Sequence, residues 1–289
     1  MIRLIRILSI FLCVVSIGLF AFATFYTNRN SDTGAPVIHM EDDVIKVSIH
    51  SDESMLLKGV TAEDKKDGDV TDSLIVEKED LFFEKGKRKI TIAAFDSNNN
   101  MTKAERTVVY KDYKSPEIML EGPLRAPTNN MQQLLEGITV KDCIEGDITD
   151  NLQITLVKDA TIFSLPGEYK MKMIVSNSLG DVVEVPVTVE LYDYALDSSV
   201  KKILLSDYIV YTKVGKTIDP QSYLTGLKIR NQEYKWDDQI STGVGLPNSK
   251  SDIRIENNVN MEKPGVYEIV YSLEDENAES RVHQIVIVE

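Results

Sequence analysis

Two stretches of the chain hold carboxylates at a spacing that could do chemistry. "EDKKDGDVTDSLIV" covers residues 63–76 and "KDCIEGDITDNLQI" covers residues 141–154. Asp64, Asp67, Asp69 and Asp72 cluster in the first, and Asp142, Glu145, Asp147 and Asp150 stand in matching places in the second. Such a cluster can cage Ca²⁺, trade protons with a substrate, or close the corner of a repeated fold. Ca²⁺ takes six to eight oxygens, and acids spaced closely around a Gly are one way for a loop to supply them. The EF-hand pattern is absent, because no Glu stands at its twelfth position. A structural corner asks for less. Asp and Thr side chains bond to nearby backbone, and Gly68 and Gly146 supply positive φ. The expectation is therefore a structural corner and no cofactor, with Ca²⁺ as the lesser reading.

Acid–base catalysis needs positioned groups of matched pKa. Here the acids lie adjacent in a solvated turn with no His among them. His39, His50 and His283 are scattered along the chain. No H-E-x-x-H, G-x-S-x-G, phosphate loop or Cys–His pairing occurs, so no catalytic residue is expected and the chain does not read as an enzyme. Trp236 is the sole tryptophan and lies beside Tyr234, Asp237 and Asp238 in a polar stretch over residues 230–252. It reads either as a core residue or, with those neighbours, as an anchor for an extracellular glycan or protein ligand.

The elements that must position these residues are strands. "RKITIAAFD" (88–96), "EYKMKMIVSN" (168–177) and "VYEIVYSLED" (266–275) alternate apolar and polar residues, the mark of a strand with one buried face. Each follows a turn ("EKGKR", "LPGEY", "KPGVY") and precedes another ("DSNNN", "SNSLGD", "EDENAE"), after which a last strand closes the unit. Shorter strands such as "VIKVSIH" and "LLSDYIVYTKV" lie between these hairpins. Pro186, in a closing strand, should take an edge or outward position. A hairpin recurring three times predicts an all-β chain of three tandem immunoglobulin-like β-sandwiches, placed at 35–113, 114–194 and 195–289. Three end to end would reach about 120 Å, at about 3.3 Å per strand residue.

The first segment gives the address. Arg3 and Arg6 precede an uncharged apolar run over residues 7–27. A helix rising about 1.5 Å per residue crosses a hydrocarbon layer of roughly 30 Å with such a run. The positive-inside rule leaves residues 1–6 in the cytoplasm and exports everything beyond a linker over residues 28–34. "AFA" at 21–23 offers the competing reading of a signal peptide cleaved after Ala23. The small residues Ser16, Gly18, Ala21 and Ala23 also leave room for a helical partner in the membrane. Cys143 is the only cysteine past this segment, so the exported part folds without an intrachain disulfide. That leans toward a bacterial, Gram-positive surface. A formal charge of −14 without a basic stripe argues against nucleic acid.

"GVTAEDKKDGDVTDSLIV" from Gly59 and "GITVKDCIEGDITDNLQI" from Gly137 resemble the signature of bacterial Ig-like domains of the group 3, hyalin-repeat-like type. Cys143 and Glu145 depart from that pattern in the second unit, and the first lacks the Pro before Gly86. The third keeps "VGKTIDP" and "KPGVY" but has a long polar stretch where the acidic turn would be. The resemblance implies stalk, spacer or adhesive modules on a Gram-positive surface, and it names no ligand.

Overall fold

A computed structural model describes residues 2–30, 33–157, 165–197, 201–229, 232–236, 250–274 and 279–289. The chain divides into two compact units, Met1–Tyr113 and Lys114–Glu289. The apolar N-terminal run forms helix α1 (Ile2–Asn30). Side chains are described over residues 9–25 of it. They expose apolar groups in every direction around the axis: Leu19 is 65% exposed, Phe20 71% and Phe22 67%. The Thr24 hydroxyl is satisfied within the helix, donating to Phe20 O at 2.6 Å. Among the described residues no helix is long and apolar enough to cross a membrane. Residues 9–25 fall short of the roughly 20 that a span needs.

The rest is mostly strand. In the first unit β1 (Val37–Met40), β2 (Val44–Val47), β3 (Val60–Asp64), β4 (Gly68–Asp69), β5 (Ile75–Glu84), β6 (Lys87–Phe95) and β7 (Met101–Tyr110) make one sheet of order β1-β3-β4 and another of order β2-β7-β6-β5. A one-turn helix α2 (Glu53–Leu56) bridges them. Alternation does the folding. Ile90 and Ile92 of β6 turn inward, with Val108 of β7 and Ala62 of β3, to form the core between the sheets. Chain entry is split: β1 runs antiparallel to β3 in one sheet, and β2 crosses over to run parallel to β7 in the other. Arg106 is only 3% exposed, and it ties α2 down by donating to Leu56 O and Lys58 O at 2.9 and 2.8 Å.

The second unit repeats this plan twice. Its first sandwich has β8 (Glu117–Leu120), β9 (Arg125–Pro127), β10 (Ile138–Asp142), β11 (Gly146–Asp147), β12 (Gln153–Leu156), β13 (Gly167–Ser176) and β14 (Val182–Tyr192), in sheets β11-β10-β8 and β12-β13-β14-β9. After a one-turn helix α3 (Tyr194–Asp197), the next has β15 (Lys201–Leu205), β16 (Ile209–Thr212), β17 (Leu224–Ile229), β18 (Gln232–Lys235), β19 (Arg254–Asn257), β20 (Gly265–Glu274) and β21 (Glu279–Val288), in sheets β15-β17-β18 and β16-β21-β20-β19. Thus "LLSDYIVYTKV" is two strands, not one. The chain changes sheets at Ser206–Asp207, as it does between β1 and β2. Pro186 is exposed and pairs with Lys172, and because β9 pairs only along Glu190–Tyr192, β14 has a free edge at the proline.

The Pro-Gly turns also explain their tyrosines. Tyr169 and Tyr267 each follow the turn glycine by two residues and donate to Leu165 O and Lys263 O, both at 2.9 Å. The first unit has Arg88 in that place, with its guanidinium 5.2 Å from the Tyr110 ring centroid.

The two sandwiches of the second unit are in direct contact: outward side chains of β16, β20 and β21 meet residues of β8, β13 and β14. Ile285 of β21 is 3% exposed because it is seated in the core of the preceding sandwich, with Ile209, Val266 and Ile287 beside it. Tyr211 of β16 reaches β8, accepting from Ile118 N at 2.7 Å and facing Ile118 O at 3.2 Å. Burial raises its phenol to about 12.

Candidate functional site

Both acidic corners fold inward onto backbone. Asp64 Oδ1 accepts from Lys66 N and Asp67 N at 2.7 and 3.0 Å, and Asp142 Oδ1 accepts from Ile144 N and Glu145 N at 2.8 and 3.0 Å. Asp69 and Asp147 each accept from the N–H two residues on, that of Thr71 or Thr149. Those threonine hydroxyls accept in turn from Ala62 N and Val140 N. Asp67 and Glu145 lock the neighbouring turn, accepting from Ser97 N and Ser178 N at 2.9 and 2.7 Å. Gly68 and Gly146 take φ of +76° and +77° with open space where a Cβ would stand, so the demand there is conformational.

These donors hold the carboxylates low. Asp67 N–H chiefly depresses Asp64, Ser97 N–H depresses Asp67, and the Thr71 and Thr149 hydroxyls depress Asp69 and Asp147. Asp72 and Asp150 are exposed and turned to solvent on short 3-10 turns. Among the described residues, no group of three or more His, Cys, Asp or Glu is arranged to hold a metal ion. One oxygen each of Asp64, Asp67, Asp69, Asp142, Glu145 and Asp147 accepts from backbone N–H groups, an arrangement that builds turns.

In the third sandwich the β17–β18 hairpin stands where the corner would be. Tyr234 on β18 is half-buried and pairs with Leu227. Trp236, also half-buried, packs against the third core, and its backbone N–H donates to Thr225 O at 3.1 Å. Asp237 and Asp238 lie outside the described residues. His39 and His50 are exposed, and Cys143 donates its thiol to Lys114 O at 3.1 Å.

The structure assembles something else, at the joint between the two sandwiches of the second unit. Arg125 on β9 stands opposite Glu190 on β14 and donates to it through Nε and Nη2, both at 3.0 Å. Nη2 also reaches Asp197 Oδ1 at 2.8 Å, and the guanidinium lies 4.3 Å from the Tyr192 ring centroid. Lys202 of β15 pairs with the other Asp197 oxygen. One half-buried arginine therefore ties β9, β14, α3 and, through Asp197, the first strand of the next sandwich. Burial alone would lower this guanidinium, but Glu190 and Asp197 outweigh it and hold it above its ordinary value.

Beside the joint opens a cleft of about 720 Å³ lined by Arg125, Glu168, Tyr192, Lys202, Tyr208 and Arg281 among others. Carboxylates outnumber cations along it, and its cations are already paired: Lys228 with Glu233 at 3.3 Å and Arg281 with Glu279 at 2.8 Å. Neither joint nor cleft was expected from motifs. The boundary stretch "LYDYALDS", alternating acids with tyrosines just before Lys201 and Lys202, was the signal available.

No family model matches the chain. No curated protein matches it either. Solved structures with detectable likeness include the CBM51-2 and INT domains of ZmpB from Clostridium perfringens in complex with GlcNAc, 15% identical over 52% of this chain and 26% of that one, at a TM-score of 0.22. The ZmpB M60 catalytic domain with CBM51-1 and CBM51-2 is 13% identical over 89% and 31%, at 0.21. Mouse cadherin-23 EC22-24 is 12% identical over 89% and 99%, at 0.21. The chain thus spans about a quarter to a third of the two ZmpB structures. At such scores and identities the likeness assigns no function or ligand.

Proposed function

We propose that this chain is a non-catalytic surface protein of a Gram-positive bacterium, held in the cell membrane by α1 and presenting its Ig-like domains, at 35–113, 114–194 and 195–289, for spacing, adhesion or partner binding. The hyalin-repeat-like family resemblance belongs to this reading. The observation that carries it is α1, whose apolar side chains are exposed all round its described length. A helix of that kind has no stable place in water. With residues 7–27 all uncharged, the full run matches a membrane's thickness. The test is fractionation followed by intact-mass measurement. The protein should stay with membranes through alkaline carbonate and keep its N-terminus. A mature form beginning at Thr24 would overturn the anchor and leave a secreted binding protein.

The candidate binding surface is the cleft of the second unit, whose surplus carboxylate disfavours polyanions and suits a neutral glycan or an uncharged or basic protein segment. A second reading, an accessory subunit of an envelope assembly, is favoured by Ser16, Gly18, Ala21 and Ala23 on α1. Cross-linking in intact cells to one fixed membrane partner would select it over the free-standing display protein.

A further inference from the structure

At the contact between the two sandwiches of the second unit sits His283. It lies on β21, with Nε2 3.1 Å from Glu168 Oε1 on β13 of the neighbouring sandwich. Nδ1 lies 3.0 Å from Glu268 Oε1 on β20, a close charge contact off the line of a good hydrogen bond. Only 11% of the imidazole is exposed. The other charged groups around it are fixed as well. Lys170 of β13 crosses the interface to Glu268 Oε2 at 3.2 Å and also meets Thr188 of β14. Arg281 of β21 is 3.8 Å from Glu168 and is paired with Glu279, with Glu256 of β19 nearby. Glu168 and Arg281 also line the cleft.

We infer that this ionic cluster is a latch between the two sandwiches of the second unit, closed by an imidazolium at His283 and released when that proton leaves, so that pH sets the geometry of the cleft beside it. The chemistry is that of a cation held between two carboxylates from different sheets. As imidazolium, His283 donates from Nε2 to Glu168 and sets its positive charge against Glu268. As neutral imidazole it keeps one N–H, and the other nitrogen turns a lone pair toward a carboxylate. With the remaining N–H on Nε2 toward Glu168, the Nδ1 lone pair faces Glu268, and Lys170 is left to balance that carboxylate.

The direction of the effect follows from the folded-state equilibria. Burial alone would lower the imidazole's pKa, but Glu268 and Glu168 outweigh it and hold His283 above its ordinary value. Its contribution is therefore complete below the unfolded value of about 6.5 and is lost as pH rises through the folded one. Burial would raise Glu268, yet His283, Thr188 and Lys170 draw it down to about 2. Its share is present above the unfolded range near 4.5 and is lost only as pH falls toward 2. The latch is closed below about pH 6.5 and loosens as pH rises through the folded-state value that lies above it.

The regulatory part rests on the cleft being the binding surface, whereas the latch does not, so the test uses no ligand. In the whole protein in detergent, His283 is titrated by NMR, with the histidines of the urea-unfolded protein as references. Hydrogen exchange of β13 and β21 and the melting temperature are followed at about pH 6 and about pH 9. The expected result is a His283 midpoint above that of the references. Exchange, corrected for its intrinsic pH dependence, should rise across both strands, and the melting temperature should fall by roughly 2–4 °C. His283→Gln should abolish that pH dependence. If His283→Gln fails to fold, Glu168→Gln should lower the midpoint. A wild-type midpoint at or below the references, or an unchanged pH slope in either variant, overturns the latch.

Discussion

Tyr169 and Tyr267 stand a sandwich apart and make the same bond, each hydroxyl returning 2.9 Å to the backbone carbonyl four residues before it. The loop between is a Pro-Gly turn, and the bond fixes the angle at which the chain enters the longest hairpin of each sandwich. Replacing either tyrosine by phenylalanine keeps the ring and deletes the bond. Each change should lower stability by about 0.5–1.5 kcal/mol in urea unfolding, with no change in secondary structure by circular dichroism.

A larger loss is expected at the second acidic corner. Asp142 is 5% exposed and accepts from two backbone N–H groups and from Asn177 Nδ2 at 3.0 Å. Asp142→Ala leaves those donors without an acceptor and should cost about 1–3 kcal/mol. Millimolar Ca²⁺ should not restore the variant, nor raise the wild-type melting temperature. A rise of more than about 10 °C with Ca²⁺ would mean that the oxygens open to a cation after all.

Acid should act on the same corners. Asp64, Asp67, Asp69 and Asp147 are all held below the ordinary carboxylate value of 3.8. Groups shifted in that direction stabilise above their unfolded pKa and lose that contribution as pH falls through the folded one. Melting temperature should therefore be flat with respect to these groups near neutrality and drop below about pH 4. Asp69→Asn should show a shallower acid slope.

Much of this fold is legible in the chain. The strands read over residues 88–96, 168–177 and 266–275 fall within one residue of β6, β13 and β20. Period two reports inside and outside directly, as Met171 and Met173 against Lys170 show. It does not report what covers the outside. Thr188, Glu268 and His283 lie on the polar faces of their strands, yet the neighbouring sandwich covers them, with Glu168 and Lys170 at its margin. A trace was present in "QIVIV" near the C-terminus, where apolar residues stand on both faces of one strand. Arg125 escaped notice for a related reason. Its carboxylate partners are about seventy residues away in sequence, and only the parallel pairing of β9 with β14 brings them together.

Trp236 permits a sharper separation of core from anchor. It packs against the third core beside Ile255 and Met261. Trp236→Ala should cost about 2 kcal/mol or more, and Trp236→Phe clearly less. Were Trp236→Ala to melt like wild type while losing attachment to cells or ligand, the side chain would be an anchor.

Arg125→Met removes the cation but keeps the stem, leaving half-buried Glu190 and Asp197 with Lys202 to balance them. The expected loss is about 1–3 kcal/mol, read as an earlier unfolding midpoint of the second unit. The double change Arg125→Met with Glu190→Met should recover part of it. Additive losses would show the two groups to be uncoupled.

Because Ile285 is seated in the core of the preceding sandwich, a scissor cut near α3 would not yield two free modules. Each half would carry a raw apolar sheet face and a stranded half of the His283 cluster. The natural calorimetric prediction is a single cooperative endotherm for residues 114–289, with a heat-capacity step larger than two separate sandwiches would sum to. The same seam fixes the order of biogenesis. The earlier sandwich can close its strands first, but its contact surface stays open until β21 has been made.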